Sequence, residues 1–197
     1  MSTFFGRPVL AALSAWLAAC ATAPDTQVRE QLDEHTGVTV TRMAQALEFY
    51  SPQPERGLQA TSFAYLGPLE VNRMGNRSTY LWLSVLPGTD VQGREPGALG
   101  APQQLRLIID NEPFEAAIAA TAGQEINLGS RAYRRPASWA REVYLSASPE
   151  LLARLAAASS LLLEIDAGDG QLRRYDPWKA DLSGLKAFIA QIAPVSP

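Results

Sequence analysis

From Val38 onward, apolar and polar residues alternate with the period of two that is typical of half-buried β-strands. The alternation is clearest around Leu105, Leu107 and Ile109. Residues 80–86 (YLWLSVL) are instead almost wholly apolar, which predicts a central strand covered on both faces. These segments predict a domain built mainly from β-strands.

Two features interrupt the strand pattern between residues 63 and 76. Phe63 and Tyr65 begin a strand that contains Pro68. Because proline has no N–H to donate to a neighbouring strand, this position predicts an edge strand or a bulge. Residues 72–76 (NRMGN) then predict a tight turn, and residues 111–113 (NEP) predict the turn of a second hairpin.

Two helices are predicted in the last third of the chain. Ser148 and Pro149 form a strong helix start, because serine can cap the first turn and proline suits its first position. Apolar residues at helical spacing follow in residues 151–158 and recur in residues 182–192. Each set predicts a helix with one buried stripe.

Together these patterns predict an α+β fold that is mainly β. We expect an antiparallel sheet or β-sandwich of about seven to eight strands, with the two C-terminal helices packed on it. Two segments, 87–102 and 119–141, have no regular pattern and are predicted to be loops. A short strand is predicted within the second, at 126–128. Long loops in compact domains are either functional or disordered.

The first nineteen residues have the composition of an export segment. Arg7 is the only charged side chain before Cys20, and residues 9–16 (VLAALSAW) are apolar. A basic start followed by a short apolar run is typical of a secretory signal peptide. The run is shorter than the ~20 apolar residues that a membrane-spanning helix needs.

Leu17-Ala18-Ala19-Cys20 closes this segment and resembles the lipobox of bacterial lipoproteins, in which small residues precede a cysteine. The resemblance covers these four residues, and it implies cleavage before Cys20 and acylation of both its thiol and its amine. Two or more acyl chains hold a protein stably on a membrane. In such lipoproteins an aspartate after the cysteine is associated with the inner membrane, so Ala21 favours the periplasmic face of the outer membrane.

This interpretation divides the chain into three parts. Residues 1–19 are the signal peptide, residues 20–37 are the lipidated N-terminus and a polar tether with a short helix at 27–33, and residues 38–197 are one β-rich periplasmic domain. Cys20 is the only cysteine, so the domain must be stabilised by burial without a disulfide. A net charge of −3 gives the chain no general attraction for nucleic acid.

Side chains suited to catalysis or metal binding are few. His35 is the only histidine and falls in the predicted tether, where no partner would be held beside it. Because Cys20 and His35 are the only soft ligands, a zinc site is not expected. Ser183 and Lys186 have the Ser-x-x-Lys spacing of penicillin-recognising enzymes, but the companion motifs are absent and Lys186 more simply lies on the solvent side of a helix. We expect neither catalysis nor a cofactor.

Acidic residues gather at two predicted turns. Asp166, Asp169 and Asp176 surround one hairpin, and Asp110 and Glu112 lie at another. Oxygen clusters can bind calcium, but this spacing matches no calcium-binding loop. Turn formation is the simpler explanation, because aspartate is a common turn residue.

Arginines and aromatic residues are concentrated in segment 131–141, where no acidic residue lies between Glu125 and Glu142. Guanidinium groups bind phosphates and carboxylates well, and aromatic residues among arginines also suit protein interfaces. Alternatively, the segment is a solvated loop whose aromatic side chains pack into the core, and Arg173 and Arg174 either extend the patch or face solvent. The candidate contact residues are Arg131, Tyr133, Arg134, Arg135, Trp139 and Arg141.

These observations predict a non-catalytic envelope lipoprotein that is anchored through Cys20 and binds a partner protein or an anionic envelope lipid or glycan. Two alternatives stay open. A cavity between sheets could hold a small molecule or lipid, or carboxylates brought together by folding could hydrolyse envelope glycans. Beyond the lipobox, the chain resembles no family that would decide among them.

Overall fold

The computed structural model describes residues 27–52, 61–88, 102–166, 170 and 172–193. The predicted signal peptide, Cys20, Asp169 and most of the 87–102 segment lie outside these ranges. The strands are β1 (Val28–Asp33), β2 (Val38–Met43), β3 (Leu47–Tyr50), β4 (Phe63–Arg73), β5 (Asn76–Leu86), β6 (Gln104–Ile109), β7 (Glu112–Ala116), β8 (Ile118–Ala120), β9 (Arg141–Ser146), β10 (Leu161–Asp166) and β11 (Leu172–Lys179). The helices are a 3₁₀ helix (Gly123–Ile126), α1 (Pro149–Ala157) and α2 (Leu182–Ile192).

The strands form one antiparallel sheet in the order β7-β6-β10-β11-β3-β4-β5-β9-β8, with β2 also paired to β4 and β1 paired to β2. The predicted class, mainly β and antiparallel with two helices, is confirmed. The predicted count of seven to eight strands is wrong, because the described residues contain 11. The additional strands include short or polar ones, which the alternation of apolar residues does not reveal.

Strand β1 lies inside the segment predicted to be a tether. Residues Val28 to Asp33 pair in full register with β2, although four of the six residues are exposed. The helix expected at 27–33 is therefore wrong, and the sheet begins well before the predicted boundary at Val38. Strand β1 is held in the sheet by backbone hydrogen bonds to β2. Most of its residues are polar, so it lacks the alternation of apolar and polar residues that predicts a strand.

Strand β4 lies in the interior of the sheet, and the edge position expected from Pro68 is wrong. One side of β4 pairs with β5 along its whole length. The other side pairs with β3 up to Leu66 and with β2 from Leu69. Pro68 and Gly67 fall where β4 changes partner, so the missing N–H of Pro68 interrupts neither ladder.

The predicted helices and the turn at 72–76 agree with the structure, whereas the turn expected at 111–113 lies at 110–111, because Glu112 and Pro113 already belong to β7. Met74 and Gly75 (φ 52° and 90°) turn the chain between β4 and β5, and Asp110 and Asn111 (φ 49° and 69°) do so between β6 and β7. The Ser148 hydroxyl accepts a hydrogen bond from the Leu151 amide and caps α1. Helix α2 packs against α1 and against β1, β2 and β4. Within the described ranges, no helix combines the length and the apolar character that a membrane span requires.

The segment from Thr121 to Ala140 contains no strand. The strand expected at 126–128 is wrong, because the 3₁₀ helix ends there and Asn127 adopts a left-handed conformation (φ 65°). The short strand β8 immediately precedes this segment and β9 immediately follows it. The predicted arginine-rich segment therefore connects β8 to β9.

Candidate functional site

Four residues on neighbouring strands form a polar row across one face of the sheet. Tyr65 of β4 lies opposite Glu48 of β3 on one side and Ser84 of β5 on the other, and Ser84 lies opposite Glu142 of β9. Side chains of directly opposed residues share a face of the sheet. The Ser84 side chain in the middle of the row is fully buried.

Tyr133 holds the 121–140 segment against this face. Its ring stacks on Trp82 with the centroids 5.1 Å apart and the planes 20° from parallel. Its hydroxyl donates a 2.6 Å hydrogen bond to the Pro68 carbonyl and accepts one of 3.1 Å from the Met43 amide. The hydroxyl thus bridges β2 and β4 at the point where β4 changes partner. Burial raises the pKa of Tyr133.

Asp33 fixes the start of the arginine-bearing region. Its carboxylate accepts hydrogen bonds from the backbone amides of Gly129 (2.8 Å), Ser130 (2.9 Å) and His35 (3.1 Å). Burial alone would raise the pKa of Asp33, but the hydrogen bonds from Ser130, Gly129 and His35 together outweigh it and the pKa is lowered. His35 lies in the turn between β1 and β2, with its side chain 80% exposed, and so not in a tether.

Three of the predicted arginines converge on one cavity of about 540 Å³, which we call the arginine cavity. Its wall includes Arg131, Arg135, Arg141, Glu142 and Tyr144. The Arg131 Nε atom lies 3.7 Å from the Glu142 carboxylate, and the Arg135 guanidinium donates to the Ala140 carbonyl. Burial, with a smaller contribution from the charge of Glu142, raises the pKa of Tyr144 to about 12, so its hydroxyl remains neutral at physiological pH.

Unpaired polar atoms accumulate beside the arginine cavity. Four buried side-chain atoms there have no hydrogen-bond partner among the described residues: Ser84 Oγ, Trp139 Nε1, Arg141 Nε and Glu142 Oε1. Arg141 and Glu142 belong to the cavity wall, Trp139 is next to Ala140 of that wall, and Ser84 is opposite Glu142. Buried polar groups are normally paired, so these four atoms are exceptions, and they lie on or next to strands β5 and β9.

A second cavity, of about 610 Å³, is lined by Arg42, Glu48, Tyr65, Trp82, Tyr133 and Arg134, among others. The structure therefore separates the predicted contact residues. Arg131, Arg135 and Arg141 line the arginine cavity, and exposed Arg134 lines the second cavity. Tyr133 is buried and Trp139 is half-buried, as expected if the aromatic side chains pack inward.

Among the described residues, several of the other candidates have local structural partners. The Ser183 hydroxyl bonds to the Asp181 carboxylate at 2.6 Å, at the start of α2, so its partner is the capping aspartate. Asp110 accepts hydrogen bonds from the Ser159 and Ser160 amides, and Asp176 pairs with Arg174 at 2.7 Å. No cluster of three or more His, Cys, Asp or Glu side chains suited to a metal occurs in the described part of the chain.

Sequence reasoning missed Asp33, Ser84 and Glu142. Ser84 could have been found from the sequence, because it is the one serine in the apolar 80–86 run. A polar residue inside a buried strand is a candidate for a functional role. Glu142 follows the arginine segment directly, but only strand pairing places it opposite Ser84. No protein-family model, curated protein or solved structure matches this chain significantly.

Proposed function

We propose that this protein is a non-catalytic lipoprotein of the bacterial envelope, and that its arginine cavity binds an anionic group of an envelope component. The observation that carries the proposal is the convergence of Arg131, Arg135 and Arg141 on the wall of one cavity. Several guanidinium groups around one cavity are a strong site for carboxylate or phosphate oxygens.

The charges around the cavity support an anionic ligand. Its wall contains three arginines and one acidic residue, Glu142. Arg131 is the arginine that pairs with Glu142, and that contact of 3.7 Å is long. The cavity therefore keeps an excess of positive charge in a chain whose net charge is −3. Envelope components offer matching anions, namely lipid phosphates and cell-wall carboxylates.

The anchor is the second part of the proposal and depends on the lipobox resemblance at Leu17–Cys20. Gln27, the first described residue, follows Cys20 by seven residues. An extended chain spans at most ~3.6 Å per residue, so the domain would lie within roughly 25 Å of the lipid. We place the protein at the outer membrane, on its periplasmic face, because Ala21 follows the cysteine.

Direct titration tests the anionic site. The full-length lipoprotein in a non-ionic detergent is titrated with two probes, inorganic phosphate and glutarate. We expect saturable binding of at least one probe, and a loss of about tenfold or more in the Arg141→Glu variant, because hydrogen bonds to charged groups are worth ~1.5–3 kcal/mol. Arg154→Glu is the control, since this exposed arginine lies on α1 outside the cavity wall.

Either of two results would overturn the anionic site: no binding of either probe at millimolar concentration, or equal weakening by both substitutions. The anchor is tested separately in cells that express the protein. Incorporation of labelled palmitate into the wild-type chain and its loss in Cys20→Ser are expected. Unlabelled wild-type protein would contradict the anchor and leave the cavity unaffected.

A further inference from the structure

The second cavity is separate from the arginine cavity, because the two share no lining residue. Its wall includes the part of the polar row in which Glu48 of β3 is directly opposite Tyr65 of β4. Opposed residues point to the same face of a sheet, so the Glu48 carboxylate and the Tyr65 hydroxyl are presented together. Both side chains are half-buried and both line the cavity, so a ligand can reach them. The cavity volume of about 610 Å³ is typical of small-molecule sites.

Arg134 supplies a free cation in the wall of this cavity. It is exposed, and its guanidinium makes no hydrogen bond or ion pair with another described residue. Arg42, the other arginine of the wall, donates hydrogen bonds to the Met43 and Ala44 carbonyls. The Arg42 guanidinium also lies 5.4 Å from the centre of the Tyr133 ring. An anionic group of a ligand would therefore bind at Arg134, because guanidinium forms charge-assisted hydrogen bonds with carboxylates and phosphates.

Glu48 limits the kind of donor that fits beside it. The Lys179 ammonium group lies 3.3 Å from Glu48 Oε2, so a positive charge already faces this carboxylate. A ligand therefore matches Glu48 best with a neutral donor. Burial, followed by the negative charge of Glu48, raises the pKa of Tyr65, so the Tyr65 hydroxyl stays protonated and can both donate and accept. Hydroxyl groups of a ligand, which also donate and accept, match this pair.

We propose that the second cavity binds an anionic saccharide, with its carboxylate or phosphate at Arg134 and neighbouring hydroxyl groups at Glu48 and Tyr65. The wall also contains Ala46 and Pro136, apolar residues against which the C–H face of a sugar ring can pack. A simple anion would leave the Glu48 and Tyr65 side chains without a partner from the ligand. An ammonium-bearing ligand fits less well, because an ammonium group of the protein already faces Glu48. This site goes beyond the proposed function and does not depend on it.

The test compares sugars that differ only at carbon 6. The full-length protein in a non-ionic detergent is titrated with glucuronate, glucose 6-phosphate and glucose. We expect at least one of the charged sugars to bind about tenfold more tightly than glucose, the factor typical of one charge-assisted hydrogen bond. In the Arg134→Gln variant the ratio of affinities should fall close to one. Arg154→Gln, at an exposed arginine of α1 outside the cavity wall, is the matched control and should preserve the ratio.

A second variant, Tyr65→Phe, tests the hydroxyl contacts. It removes one oxygen atom that has no hydrogen-bond partner among the described residues, so the fold should be preserved. We expect charged and uncharged sugars alike to bind about threefold more weakly, because a neutral hydrogen bond contributes less than a charge-assisted one. The preference for a charged sugar should remain. Unchanged affinity for all three sugars would overturn the placement of the sugar hydroxyls at Tyr65.

Four other results would overturn the saccharide site. They are equal affinity for the three sugars, no binding of either charged sugar at millimolar concentration, binding of acetate as tight as that of glucuronate, and weakening by Arg131→Gln instead of Arg134→Gln. The last result would place the sugar in the arginine cavity. The titration of phosphate and glutarate with Arg141→Glu tests the arginine cavity separately, so the failure of one site is distinguishable from the failure of the other.

Discussion

The ring of Tyr133 occupies the space that a side chain on Gly67 would need. A Cβ atom built at Gly67 would lie 2.5 Å from two carbons of that ring, well inside van der Waals contact. Trp82, which is opposite Gly67 on β5, stacks on the same ring. The absence of a side chain at residue 67 therefore leaves room for the Tyr133 ring on this face of the sheet.

Replacement of Gly67 by alanine should displace Tyr133. We expect a loss of about 1–3 kcal/mol in the free energy of unfolding, the usual cost of an added methyl group in a packed region. Urea denaturation measures the loss, and Trp82 fluorescence reports whether the stacked ring has moved. In a Tyr133→Leu background the same substitution should cost much less, because the ring is absent. An equal cost in both backgrounds would show that the clash is not the cause.

Removal of the Tyr133 hydroxyl should weaken the junction between β2 and β4. In Tyr133→Phe the buried Met43 amide loses its acceptor, so we expect a loss of about 1–3 kcal/mol in the free energy of unfolding. Hydrogen exchange at the Met43 amide should accelerate in parallel. Tyr80→Phe, a change at a half-buried tyrosine on β5, serves as the control. Unchanged protection of the Met43 amide would contradict the assigned bridge.

Asp33 should make the arginine-bearing segment sensitive to acid. Its pKa is lowered from the ordinary value of 3.8, so its contribution to stability is present above that value and is lost as the pH falls through the folded-state pKa. At neutral pH, Asp33→Asn should lower the melting temperature by roughly 2–4 °C, the shift that about 1 kcal/mol causes in a chain of this size. The difference should disappear at the acidic end of a pH series. Glu30→Gln, an exposed change on β1, is the control and should produce no such pH-dependent difference. If Asp33→Asn lowered the melting temperature equally at every pH, ionisation of Asp33 would not be the cause.

Local sequence patterns were sufficient to predict the elements whose structure is determined by residues within the element itself. Strands β5 and β6, the turn at Met74 and Gly75, and the capped start of α1 were predicted from residues within one element. Apolar period, turn conformation and capping act over a few residues, so the sequence alone reveals them. Strand β1 was missed because it is stabilised by backbone pairing with β2. Its own side chains are mostly polar and do not predict that pairing.

The candidate site depended on contacts between distant parts of the chain. The sequence showed that arginines and aromatic residues share the 131–141 segment, but it did not show which of them point together. Pairing of β5 with β9 brings Ser84 opposite Glu142, and Asp33 binds Gly129 and Ser130 across nearly a hundred residues. In the folded chain the predicted patch is divided between the arginine cavity and a separate cavity at Arg134.

By itself, then, the sequence determined a mainly antiparallel β domain with two C-terminal helices and marked the segment that carries the arginines. Only the tertiary structure decided that Tyr133 is a buried bridge and that Arg131, Arg135 and Glu142 line one cavity. The physical reason is the range of the interactions. Hydrophobic period and turn preference are encoded in neighbouring residues, whereas strand register and the burial of unpaired polar atoms arise only when separate elements pack together.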